Sequence, residues 1–267
     1  MTVYDVELTL LEDTLRKTMT TRSGADLDTA LTELGWHDML TEMPDLAVPM
    51  VFRLLGETGA HGPFLNDVVL DEAGLPVGGA VPLPYTGDSW VRWDRTDKAT
   101  APQYSGTLDN ELPLGIVDGG SPVPLAAGRR ALGWWLTGAS RAMLSLARTH
   151  ALGRTQFGRP VAAFQAVRHR LAETLVAIEG AEATLAAATD DLGSLLAKAA
   201  AGQAALTTAR HCQQVLGGIG FTAEHDLHRH IRRALVLDGL LGSARELTRE
   251  AGAMIRAEGS APRLVQL

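Results

Sequence analysis

The chain has 267 residues, 46% of them hydrophobic, enough to bury the core of one large domain or two modest ones. A formal net charge of -7 excludes a general basic surface for nucleic acid or an anionic membrane, and no window approaches the roughly 18 consecutive apolar residues of a membrane-spanning helix. The single cysteine, Cys212, forms no internal disulfide, and Asp5, Glu7, Glu12 and Asp13 stand where a secretory signal needs basic and then apolar residues; both point to the cytoplasm.

Taken in order, residues 1–65 read as a small helical domain. Helices are expected around Val6 to Thr18, Asp26 to Met39 and Ala47 to Thr58, separated by turns at Gly24 and Pro44. Ten of the twelve prolines lie between Pro44 and Pro124, and residues 66–124 show short apolar or alternating runs broken by glycine and proline. Val68 to Leu70, Ala80 to Leu83, Trp90 to Trp93 and Leu112 to Val117 are read as a reduced β segment. From Leu125 onward, apolar residues recur at helical spacing: Leu132, Leu136, Ala139 and Met143, then Phe164, Val167, Leu171 and Ile178. A third helix is expected from about Leu192 to Leu216 and a fourth from about Glu224 to Arg256, so residues 125–267 form a four-helix bundle. The fold class is mainly α.

Two stretches of the bundle carry chemistry. Arg154-Thr155-Gln156-Phe157-Gly158-Arg159-Pro160, with Phe164-Gln165 after it, occupies the turn between the first two helices. Arg154 closes a helix, where a cation offsets the macrodipole, and its planar guanidinium suits bidentate contact with a pyrophosphate. Pro160 suits the first turn of the next helix. The plain alternatives are a solvated C-terminal cap for Arg154 and a core plug beneath the turn for Phe157. Gln214-Val215-Leu216-Gly217-Gly218-Ile219-Gly220-Phe221 ends the third helix. Its glycines let backbone amides approach a phosphate or adenine, and Gln214 offers an amide; the plain alternative is a glycine C-cap. Gly218 to Ala223 also satisfies G-x-G-x-x-A, but it follows a helix rather than a strand, so a dinucleotide-binding βαβ unit is rejected.

In this order and separation, R-T-Q-F-G-R-P…F-Q and Q-V-L-G-G-I-G-F resemble the acyl-CoA dehydrogenase family across residues 125–255. The resemblance implies the family's helical fold and a bundle whose motifs reach across a dimer interface to the ADP portion of FAD. On that basis Arg154, Gln156, Phe157, Gln165, Gln214, Gly217 and Gly218 are the expected cofactor contacts.

The family's catalytic glutamate removes the α proton of an acyl-CoA while the β hydrogen leaves as hydride. Counting from Gln214 brings its usual position onto Leu241, in Leu241-Gly242-Ser243. The alternative position, on the first bundle helix before an arginine, falls on Gly128, before Arg129. Neither is a base, so no catalytic residue is expected. The nearest carboxylate, Asp238, reads as a helix-surface acid; Asp226 and Glu246 carry less weight. The family's arginine-aspartate pair reads Arg232-Arg233. Residues 66–124 are too few for the family's middle barrel and lack the threonine-glutamate-proline…glycine-serine-aspartate stretch that holds the isoalloxazine.

The resemblance therefore narrows to the shortened, base-less subunit of heteromeric, sterol-degrading acyl-CoA dehydrogenases. It implies a heterotetramer with an FAD- and glutamate-bearing partner subunit, an acyl-CoA substrate, and electrons passing to an electron-transfer flavoprotein. A scaffold without FAD and an acyl-thioester binding module are the rival readings. No metal site is expected: His225, His228 and His230 lie among Arg229, Arg232 and Arg233, whose charge opposes a bound cation. Cys212 and the pair Trp134 and Trp135 read as packing residues.

Overall fold

The computed structural model describes residues 3–95 and 108–260. Five helices open the chain: α1 (Val3–Thr21), α2 (Ala25–Glu33), α3 (Trp36–Glu42), α4 (Pro44–Thr58) and α5 (Phe64–Glu72). The single helix expected over Asp26 to Met39 is two, because Gly35 adopts φ 86 and turns the chain between them. Val68 to Leu70 belongs to α5 rather than to a strand. Every residue from Phe64 to Leu70 is buried, and an apolar run buried on all sides has no period by which sequence can separate helix from strand.

The reduced β segment is a three-stranded antiparallel sheet of β1 (Pro82–Tyr85), β2 (Ser89–Trp93) and β3 (Leu114–Val117), in that order. Residues 96–107 of the expected segment lie outside the described residues. The bundle follows: α6 (Ala126–Gly153), the hairpin β4 (Thr155–Gln156) and β5 (Arg159–Pro160), a 3-10 turn, α7 (Gln165–Ala187), α8 (Asp191–Leu216), a second 3-10 turn (Gly217–Phe221), α9 (Leu227–Gly239) and α10 (Ala244–Glu258). Pro160 is thus a hairpin residue paired with Thr155, not the first turn of a helix.

The fourth bundle helix is also two. Leu241 and Gly242 take φ 56 and 97, breaking the helix, and a capping box of Ser243 and Glu246 restarts it as α10. The break docks on the sheet edge: Leu241 N–H donates to Pro84 O at 2.8 Å and Thr86 N–H to Gly239 O at 2.9 Å.

Helix α6 runs through the centre, between α4 and α8. At the α4–α6 crossing the two backbones touch, since a Cβ at Gly138 would overlap the Arg53 carbonyl and one at Gly56 the α6 backbone. Trp135 on α6 stacks on Trp93 of β2 and meets Phe52 of α4 edge-on, each at 5.7 Å between ring centroids. One aromatic core thus joins helices, sheet and bundle, and Trp135 is a packing residue in it. Arg233, where the family pattern has aspartate, is buried. It pairs with Asp109 and Glu111 ahead of β3 and donates to Ala60 O at 3.2 Å, clamping α9 to the loop after α4.

Candidate functional site

At its C-terminal end α6 unwinds at Arg154, which leaves helical geometry at φ -85, ψ 123 while its N–H still bonds His150 O. The chain then makes the β4–β5 hairpin, turning through Phe157 (φ 51) and Gly158 (φ 76), the positive angles of a tight I′ hairpin turn. A phenylalanine in this conformation costs roughly 1–2 kcal/mol. Phe157 is nevertheless 91% exposed, so it is not a plug beneath the turn. Its ring meets Phe164 edge-on at 6.2 Å, and the Arg159 guanidinium lies 4.2 Å from the other member of that pair, Phe164.

Opposite this hairpin, α8 ends at Gly217 (φ 65, ψ -141), a conformation reserved for glycine, and runs into the 3-10 turn. Between them lies a cleft of ≈ 660 Å³ lined by Arg154, Gln156, Phe157, Gln214, Gly217 and Gly218 over an apolar floor of Val161, Phe164 and Val167. Six of the seven residues singled out in the sequence share this cleft. Gln165 does not line it: it is exposed at the start of α7, its amide 3.4 Å from the His169 ring. The Arg154 guanidinium has no ion-pair partner among the described residues, and a Cβ added at Gly217 or Gly218 would meet nothing within 4 Å. The cleft thus offers an unneutralised cation, an amide, open backbone and an exposed aromatic face. One titratable lining residue escaped the sequence reading: His150, one turn before Arg154, whose i−4 spacing puts it on the same helix face.

At the other end of α6, the two positions where a base is missing come together. Leu241 is 1% exposed, and a Cβ built on Gly128 would stand 2.8 Å from its Cδ1 and 2.9 Å from Val69 Cγ2. Leucine fills the space that either carboxylate would need. The break that carries Leu241 is held by cations. Arg129 Nε donates to Leu241 O at 3.2 Å, and the buried Lys198 Nζ donates to Asp238 O at 2.8 Å and Gly242 O at 2.5 Å. Burial pushes the Lys198 ammonium down to about 7, against the pull of the Asp238 charge.

Asp238 is not a surface acid. It packs against Gly202 of α8 and accepts the Ala244 N–H at 3.1 Å, and burial raises its pKa while Lys198 opposes the rise. Glu246 is committed to structure as well: N–H donors from Gly87 and Ser243 hold its carboxyl at about 2. Cys212 is buried and apolar surroundings push its thiol up to about 12, as fits a packing residue. The histidines before and on α9 diverge: His225 Nδ1 accepts the Leu227 N–H, His228 Nδ1 donates to His225 O, and burial beside Arg229 and Arg233 lowers His230 to about 4.

Comparison with known proteins bears on both ends of α6. Residues 123–254 match the model of the acyl-CoA dehydrogenase C-terminal domain. This part of the chain belongs to the acyl-CoA dehydrogenase family. The acyl-CoA dehydrogenase FadE34 of Mycobacterium tuberculosis is 35% identical over 200 residues, covering 67% of this chain and 28% of FadE34. IpdE2 of the same organism is 40% identical over 115 residues, covering 42% of this chain and 36% of IpdE2. The matches therefore span about a third of these relatives' length. In structure, the chain is similar to one in the ChsE4–ChsE5 complex from Mycobacterium tuberculosis, with TM-score 0.66 and 19% identity over 98% of this chain and 99% of that one. The expected acyl-CoA dehydrogenase fold is thereby established. Among the described residues, no helix is long and apolar enough to cross a membrane.

Proposed function

We propose that this chain is the cofactor-anchoring, base-less subunit of a cytoplasmic heteromeric acyl-CoA dehydrogenase, which introduces an α,β double bond into an acyl-CoA. The observation that carries the reading is the contrast within α6: an open cleft with an unpaired Arg154 at one end, and two base positions closed against each other at the other. The cleft fits the ADP half of FAD. Arg154 would hold the pyrophosphate, Gln156 and Gln214 would donate to phosphate or adenine, and Gly217 and Gly218 would let the ligand reach the backbone. Phe157 would lie against a ring of the cofactor or the partner surface, which accounts for an exposed aromatic held in a costly conformation. Gln165, at the foot of α7, would contact the cofactor only from outside the cleft.

When bound, FAD supplies the acceptor for the β hydride. The glutamate that removes the α proton and the surface that holds the isoalloxazine would come from an FAD- and glutamate-bearing acyl-CoA dehydrogenase subunit, in a heterotetramer with two copies of each chain. Electrons would leave through an electron-transfer flavoprotein. Support for a partner of this kind comes from the likeness to a chain of the ChsE4–ChsE5 complex. A steroid thioester is the substrate class we favour from the likeness to the Tcur3481–Tcur3483 steroid ACAD, with TM-score 0.69 and 20% identity over 96% of this chain and 99% of that one. In this assembly α1–α5 would form the helical domain, β1–β3 the shortened middle and α6–α10 the bundle, so the boundary expected at residue 65 moves past the end of α5. A scaffold without FAD has no use for the unpaired Arg154, and an acyl-thioester module has no room beside Leu241.

The test is co-expression with a glutamate-bearing acyl-CoA dehydrogenase subunit, followed by measurement of FAD content and dehydrogenation. One FAD per heterodimer, with activity in the pair alone, is the expected result. A chain that purifies yellow and active by itself overturns the proposal.

A further inference from the structure

The cleft contains a titratable side chain that neither motif includes. His150 lies in the last turn of α6, its carbonyl accepting the Arg154 N–H at 2.9 Å, and its imidazole lines the cleft with Arg154, Gln156 and Gln214. Neither ring nitrogen has a hydrogen-bond partner among the described residues. The charged or titratable groups facing it are Arg154, from its own helix end, and His225, from the segment before α9. The hairpin presents Gln156, α8 presents Gln214 and α7 presents Val167, all uncharged.

We propose that His150 is an anion-contacting residue of this cleft, which takes up a proton from solvent as a pyrophosphate settles between it and Arg154. The proposal rests on the reading of the cleft as the site for the ADP half of a dinucleotide. A histidine at a helix C-terminus is ordinarily favoured in its charged form by the macrodipole. Here burial, His225 and Arg154 together win, and the imidazolium is held below its usual range. A pyrophosphate reverses the sign of the local field and adds an acceptor for the ring N–H, which raises the same pKa in the complex. Between the lowered free value and the raised bound value, the complex carries one more proton than the free chain. Binding therefore tightens as pH falls into that window, and the gain is lost as pH rises above the bound value. No bond is made or broken beyond this proton transfer to a ring nitrogen.

ADP-ribose is the suitable probe, because its diester pyrophosphate has no group titrating near neutrality. Its affinity for the full chain, read by calorimetry, is expected to be about tenfold higher near pH 5.5 than near pH 8, the gain of about one pKa unit of stabilisation. His150→Gln should bind as the native chain does near pH 8 and lose the gain at low pH. Independently of any variant, the labelled imidazole signal of His150 should titrate at higher pH with the probe than without it. If the probe binds and that signal titrates identically in both conditions, the role of His150 is overturned while the cleft reading stands. If no binding is seen that Arg154→Ala abolishes, the cleft reading itself fails and this inference with it.

Discussion

The two ends of α6 invert each other. Near its start, Gly128 is closed over by the apolar side chains of Leu241, Val69 and Leu65; at its end, Arg154 faces an open cleft without an ion-pair partner among the described residues. The rise of a helix puts these ends roughly 40 Å apart, longer than an extended dinucleotide. A cofactor held in this chain's cleft is therefore not the one its own base position would have served. On the proposed function, a division of labour between two chains is what makes the combination of a filled base position at one end and a cation at the other useful.

If the base end is packed shut, restoring a carboxylate there should be ruinous. Gly128→Glu forces an unpaired charge among Leu241, Val69 and Leu65 and should cost roughly 4 kcal/mol or more by urea denaturation, without conferring activity. A variant as stable as the parent would show that the region is open after all. Leu241→Ala should cost about 2–4 kcal/mol by the same measurement, because it empties a site where leucine is 1% exposed.

The cations beneath the break add a pH signature to the closed end. Lys198 has its pKa lowered from 10.5 to about 7, so the unfolded chain binds more protons than the folded one between those values. This group makes the fold gain stability as pH rises through that window, by up to about 1.4 kcal/mol per pH unit, and the gain is absent below it. Denaturation midpoints followed from pH 7 to 9 should rise in the native chain and flatten in Lys198→Met; equal slopes would remove Lys198 as the cause. The smallest effect belongs to the open end. Gly218→Ala should leave stability within about 0.5 kcal/mol, since its new methyl meets nothing within 4 Å, yet should weaken cofactor retention by the assembled complex.

The same contrast governs what could be read from sequence. Long helices were legible: an expected helix of Leu192 to Leu216 is found as Asp191–Leu216, because a sustained apolar stripe specifies both period and length. The break between α9 and α10 was hidden, since Leu237, Leu240 and Leu241 carry apolar character straight through it, although Ser243-Ala-Arg-Glu246 advertised a capping box. Counting alone located Gly128 and Leu241 but could not show that they touch, because contact between segments so far apart in the chain depends on packing of α6 against the α9–α10 junction. For Phe157, exposure was beyond reach, as an aromatic in a turn reads equally as plug or protrusion until the hairpin angles are known.

Retention of FAD by the purified heteromer, compared between the native chain and Arg154→Ala with Gln214→Ala, addresses the central claim most directly. Loss of most of the bound FAD while the heteromer remains assembled and folded is the predicted result; undiminished FAD in an intact complex would contradict it.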